Sequence, residues 1–249
     1  MNRRLIGLAS GGALLASILG ACEAQQQDPQ CVVARAVSDG STGSFAATYE
    51  LKAGQDASAA CARLKAEPVG LQKYFNENPG AKDTVGLRSW RVGDELRKTG
   101  VQLDPDAPNQ FNSVGELVTD APGPDHFCEV PTLTPTRLVT RTAGGGATGL
   151  DLTYAWSKLR IYNTPDIPGT QFIADLRYTS SGCTAEFTVR GIWPVVSCAT
   201  SGKPDPSKCE PYADPPARLR GSGINPSFPV RCDTEALICV LTGEVPSVP

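Results

Sequence analysis

The chain is short of the residues on which most catalysis and metal binding depend. Of its 249 residues one is a histidine and one a methionine, and aromatics make up 6%. The single histidine, His126, excludes the H-E-x-x-H zinc hydrolases, whose metal needs two. No C-x-x-C pair occurs, so the usual zinc-ribbon spacing is missing. There is no G-x-S-x-G elbow and no S-x-x-K motif. The run Gly144-Gly145-Gly146 lacks the Lys-Ser/Thr that holds nucleotide phosphate and metal, and reads as a turn. Positive charge is not in excess: 23 Lys and Arg face 26 Asp and Glu, a formal −3. That excludes the electrostatic footprint of a nucleic-acid binder. Long helical patterns are also scarce, whereas 25 glycines and 21 prolines supply many turns. Such a composition favours strands and loops.

No apolar run reaches the ~20 residues of a membrane span. The uncharged stretch from Leu5 to Leu19 follows Arg3 and Arg4, and its length fits the core of a secretory signal. It ends in Leu19-Gly20-Ala21-Cys22. This resembles the lipobox of bacterial lipoproteins: a branched apolar residue, two small ones and a cysteine. The resemblance covers only the signal and the anchor. It implies diacylglycerol on the Cys22 thiol, cleavage before Cys22 and acylation of the new amino terminus. Several acyl chains anchor firmly where a single one does not. An ordinary secretory signal and a twin-arginine signal are the competing readings of the same residues. Glu23 stands where inner-membrane lipoproteins of enteric bacteria commonly have aspartate, which points to the outer membrane. Residues 23–30, EAQQQDPQ, read as a polar tether.

With Cys22 lipidated, Cys31, Cys61, Cys128, Cys183, Cys198, Cys209, Cys232 and Cys239 remain. An even number in an oxidising compartment points to disulfides rather than metal. The expected bridges are Cys31–Cys61, Cys198–Cys209 and Cys232–Cys239, with Cys128–Cys183 left over and crossed pairings open.

Along the chain, residues 31–52 read as a hairpin turning at Asp39–Gly43, with Phe45, Ala47, Tyr49 and Leu51 alternating on its return. Ala57, Ala60, Cys61 and Leu64 fall at helical spacing after a capping Asp56 or Ser58, with Glu67-Pro68 as the stop. Residues 69–76 extend that helical region, which sends Tyr74 and Phe75 to the core. Strands follow at 85–92 and 111–119, with a helical turn at 93–100. Asp120–Pro135 is Pro-rich and marks a possible subdomain boundary. After a short strand at 136–142, residues 150–162, 171–179 and 184–196 form an antiparallel meander, with a bulge near Trp156. Residues 230–242 form a terminal strand pair.

The readings that carry chemistry compete with plainer ones. The Asp104–Asn109 loop has oxygen ligands for calcium, but not the EF-hand spacing, and reads as a surface loop. Asp151, Asp166, Asp175 and Glu186 could serve a polymer hydrolase if two of them met, and otherwise are solvated strand faces. Trp90, Trp156, Trp193, Tyr154, Tyr162 and Tyr178 are an aromatic platform or, for the most part, core. Arg137, Arg141, Arg160 and Arg177 are a site for an anionic polymer or an ordinary mixed surface.

The sequence therefore predicts a mainly β protein with a minor α component, an antiparallel sheet or sandwich with one short helix, stabilised by disulfides. Its layout is a signal peptide at 1–21, a lipidated tether at 22–30 and one domain at 31–249. The expected role is structural or binding, lipid-anchored in the cell envelope. An envelope protein or polysaccharide is the expected partner, with no cofactor, metal or nucleic acid. The alternative is an envelope-polymer hydrolase using the meander carboxylates.

Overall fold

The computed structural model describes residues 29–34, 44–78, 80–141 and 148–248. The signal stretch, Cys22, the 39–43 turn and the 144–146 glycine run lie outside the described residues.

The described chain is mainly β, as its alternation predicts. Ten strands make one antiparallel sheet: β1 (Ser44–Leu51), β2 (Glu67–Tyr74), β3 (Thr84–Ser89), β4 (Gln102–Leu103), β5 (Ser113–Glu116), β6 (Phe127–Thr132), β7 (Thr136–Arg141), β8 (Thr148–Asn163), β9 (Pro168–Ser180) and β10 (Cys183–Ile192). Their order is β4-β7-β8-β9-β10-β1-β2-β3-β5, with β6 also against β8. The long β8 takes β9 on one edge and both β7 and β6 on the other. Its register slips between Ser157 and Arg160, where a bulge keeps Trp156 and Leu159 both buried.

The sheet curls until its ends meet. Val118 N donates to Glu129 O and Thr134 N to Val114 O, each at 2.9 Å. At this seam a Cβ on Gly115 would lie 2.4 Å from Thr132 O, so only glycine allows the approach. Inward residues such as Phe45, Leu71, Leu87, Leu152, Trp156 and Phe187 fill the enclosed core.

A second core lies outside the curl. The C-terminal segment packs Ile224, Phe228, Ile238, Val240 and Leu241 against Ala46 and Ile192. β1 is thus covered on both faces, which explains the small Ala46 and Ala47 beside Phe45. This segment holds two small hairpins, β11 (Ala199–Thr200) with β12 (Lys203–Pro204) and β13 (Val230–Cys232) with β14 (Cys239–Leu241).

Several expectations are corrected. Residues 31–34 form no strand, and β1 pairs with β2 and β10 instead of closing a hairpin with them. The helix expected from Ala57 is one 3-10 turn, Ala60–Ala62. Residues 69–74, expected to be helical, belong to β2. Its last residue Tyr74 is 50% exposed and the following Phe75 is 71% exposed, so neither is core. The strand expected over 85–92 stops at Ser89, whose Oγ caps the helix α1 (Trp90–Arg97). Residues 120–135 carry β6, which belongs to the main sheet.

The four bridges are Cys31–Cys128, Cys61–Cys183, Cys198–Cys232 and Cys209–Cys239. Cys31–Cys61 and the leftover Cys128–Cys183 are therefore replaced, and in the C-terminal segment the crossed pairing holds in place of the two local bridges. Cys61 lies against β10 rather than near Cys31, and its backbone N–H points at Cys183 Sγ. Cys232 and Cys239 sit opposite each other in the β13–β14 register, yet each bonds to a cysteine outside that hairpin.

Candidate functional site

β2 has an unusual inward face: Glu67, Val69, Leu71 and Lys73 all point into the protein. Charged side chains at its two ends must find partners, because an unpaired buried charge is expensive. Lys73 meets Asp83 at 2.7 Å and donates to Cys31 O at 2.8 Å.

Glu67 is 8% exposed and lies beneath a cleft. Its Oε1 accepts from Tyr49 at 2.7 Å and from Tyr154 at 3.2 Å, and its Oε2 accepts from the Arg91 backbone N–H at 2.9 Å. That last donor belongs to the first turn of α1, where amides lack helical partners. Burial pushes the Glu67 carboxyl above the usual glutamate range, against the pull of these donors. Burial also lifts the Tyr49 and Tyr154 phenols well above their usual range, and the Glu67 charge adds to it. Both tyrosines therefore stay protonated and donate. Tyr154 stacks on Trp156 at 6.0 Å and meets Tyr178 edge-on at 5.1 Å. Arg91 Nη1 donates to the Tyr178 hydroxyl at 2.6 Å, closing the group from above. Trp156 Nε1 is buried without a hydrogen-bond partner among the described residues.

The cleft encloses about 550 Å³. One wall is Arg63, Leu64 and Lys65, next to the Cys61–Cys183 bridge. Another is Trp90, 49% exposed, with Arg91. The third is Glu235, Ala236 and Ile238 on the β13–β14 tip, shaped by Asp233 Oδ1 accepting from the Glu235 and Ala236 amides. Lys65 and Glu235 join two walls at 3.1 Å. Two bridges, Cys198–Cys232 and Cys209–Cys239, hold this tip to the rest of the C-terminal segment.

The residues singled out in the sequence are mostly elsewhere. Asp151 pairs with Arg137, and Asp175 with Lys52 and Lys158, while Asp166 and Glu186 are exposed, so the meander carboxylates do not gather. Of the six aromatics, Trp156, Tyr154, Tyr162 and Tyr178 are buried, and Trp90 alone combines substantial exposure with a place in the cleft. Arg141 contacts Asp104 at 2.9 Å and Asp106 at 2.7 Å, supplying the cation that a calcium ion would bring. Arg160 contacts Asp125 and Glu129, and Arg177 is exposed. His126 is exposed, with its ring edge-on to Tyr162, and Asp125 turns to Arg160. The sulfurs of Cys198, Cys209 and Cys239 lie within 4.8 Å of one another, but as disulfides they offer no thiolate to a metal. No helix among the described residues is long and apolar enough to cross a membrane.

Sequence reasoning missed Glu67 because Glu67-Pro68 resembles a helix stop. The available signal was period two over Glu67, Val69, Leu71 and Lys73, masked by the charges at its ends.

A family profile, MlpA, matches residues 43–194, which takes in every strand from β1 to β10. A Myxococcus xanthus protein, MlpA, named as an inferred lipoprotein, is 28% identical over 261 aligned positions, covering 99% of this chain and 97% of that protein. No solved structure matches.

Proposed function

Because the chain belongs to the MlpA family, we propose that it is an exported lipoprotein whose cleft binds a ligand at the cell envelope. The observation that carries the first half is the alignment with the Myxococcus lipoprotein over nearly the whole chain, joined to the Leu19-Gly20-Ala21-Cys22 motif. On this reading residues 1–21 are the signal peptide and Cys22 carries the lipid. Residues 22–30 are the tether, 31–249 form one disulfide-bonded unit, and the outer membrane is the resting place.

The cleft supports the second half. Trp90 offers a ring face, and Arg63, Lys65 and Arg91 outnumber Glu67 and Glu235. Both oxygens of Glu67 are already taken by Tyr49, Tyr154 and the Arg91 amide, so its role is to hold the frame. The fitting ligand is an anionic, ring-bearing molecule such as an acidic sugar of an envelope polymer. Aromatic faces stack on such rings, and guanidinium groups pair with carboxylates.

Two measurements test the two halves. Cys22→Ser should move the protein from the membrane to the soluble fraction. Binding of uronic-acid oligosaccharides, followed by calorimetry, should be lost in Trp90→Ala and kept in His126→Ala. Membrane retention of Cys22→Ser, or unchanged binding in Trp90→Ala, would contradict the respective half.

A hydrolytic role is the second reading, resting on Glu235, the cleft carboxylate that is not committed to the frame. It requires cleavage of the bound oligosaccharide that disappears in Glu235→Gln.

A further inference from the structure

We propose that the Tyr74 end of the curled sheet is the face that rests on the bilayer, so that the cleft points away from it. This rests on the lipid-anchor reading above.

The chain enters the fold at a fixed point. Cys31 N donates to Asp120 O at 2.7 Å, its O accepts from Lys73, and its sulfur is bonded to Cys128. Cys31 follows Cys22 by nine positions, a length that reaches at most ~30 Å when fully extended. Whatever surrounds Cys31 is therefore held close to the membrane surface.

That surrounding is apolar. Among the described residues, five of the nine exposed large hydrophobic ones are Val32, Tyr74, Phe75, Val114 and Val118. Val32 and Phe75 line one groove, Tyr74 and Val114 a second, and Val114 and Val118 a third, all at the Tyr74 end of β2. The Tyr74 ring lies over Gly86, where a Cβ would approach it to 2.9 Å; a larger residue there would push the ring off the sheet. Valines with two exposed aromatics suit the interfacial zone of a bilayer, where aromatic rings settle at headgroup depth. Lys82 and the exposed Arg88 stand in the same region, and so do Glu116 and the exposed Glu77 and Asp120. With no cationic surplus, the contact is driven by apolar area and should be insensitive to salt.

The geometry has a functional consequence. Tyr74 and Glu67 are the two ends of β2, seven residues or ~23 Å apart at the rise of a strand. Seating the Tyr74 end on the membrane lifts the Glu67–Trp90 cleft off the surface and opens it to soluble or wall-bound ligands.

The test uses the full lipidated chain in phosphatidylcholine vesicles, plain or brominated along the acyl chains. Tyr74→Trp and Phe75→Trp each add an emitter at an exposed position. Flotation with the vesicles reports the anchor, and bromine quenching reports the contact. The added emission should vanish in brominated vesicles at low and high salt alike, while that of Trp90, Trp156 and Trp193 persists. Flotation with unquenched added emission would overturn this orientation and leave the anchor standing. Unquenched emission together with a dimer would assign the face to a second copy, and so also overturn it. Failure to float would remove the anchor reading and this one with it.

Discussion

The Tyr49 hydroxyl and Glu67 Oε1 stand 2.7 Å apart, binding β1 to β2 over a carboxyl that burial makes reluctant to ionise. Since the folded value is raised, ionising Glu67 costs stability as pH climbs through it. The penalty is absent below the ordinary glutamate value. Asp83, Asp104 and Asp175 run the other way: their partners hold them low, so their contribution is present at neutral pH and lost on acidification. Comparing wild type with Glu67→Gln isolates the first effect. Melting temperatures from neutral to mildly acidic pH should show wild type gaining on the variant as pH falls. A gap that moves the other way would mean that the three donors outweigh burial.

At the opposite end of β2, Lys73 and Asp83 form the most enclosed ion pair among the described residues. Removing one partner strands the other, and breaking such a pair costs roughly 3 kcal/mol or more. Lys73→Met should lower the melting temperature by about 10 °C. Lys73→Met with Asp83→Asn should recover part of that loss. Equal losses in both would show that the bond to Cys31 O matters more than the charge.

Cys61–Cys183 joins residues 122 apart in sequence. In the chain-entropy account a loop of that size is worth about 5 kcal/mol. Replacing both by alanine should destabilise the whole sheet, measured by denaturant midpoint, and should free the Arg63–Lys65 wall of the cleft. Cys198–Cys232 spans 34 residues. Its removal should weaken ligand binding at the β13–β14 tip before it affects the melting of the main sheet. Simultaneous loss of both would show that the C-terminal segment and the sheet unfold as one.

How much of this was legible in the sequence depended on where each strand's partners lie. The β8–β9–β10 meander was readable because Phe172, Ala174, Leu176 and Tyr178 alternate with polar residues, one face packing inward. Even the bulge after Trp156 showed as a slip in the pattern. β2 was not readable, because its inward positions begin with Glu67 and end with Lys73, and the partners that make those charges acceptable, Tyr49, Tyr154 and the Arg91 amide for one and Asp83 and Cys31 O for the other, lie outside the strand. The disulfide map failed for a related reason. Nearness in sequence left Cys198–Cys209 with Cys232–Cys239 and their crossed alternative equally open, and the fold takes the crossed one. The cleft was invisible for the same cause: its walls come from residues 63–68, 90–91, 154 and 235–238.

The disulfide-bonded fold is proposed to be tied to a membrane through Cys22. Intact mass of the membrane-extracted protein, before and after reduction and thiol alkylation, tests it most directly. The account predicts a chain beginning at an acylated Cys22, with eight thiols that alkylate only after reduction. An unlipidated chain whose thiols alkylate without reduction would contradict it.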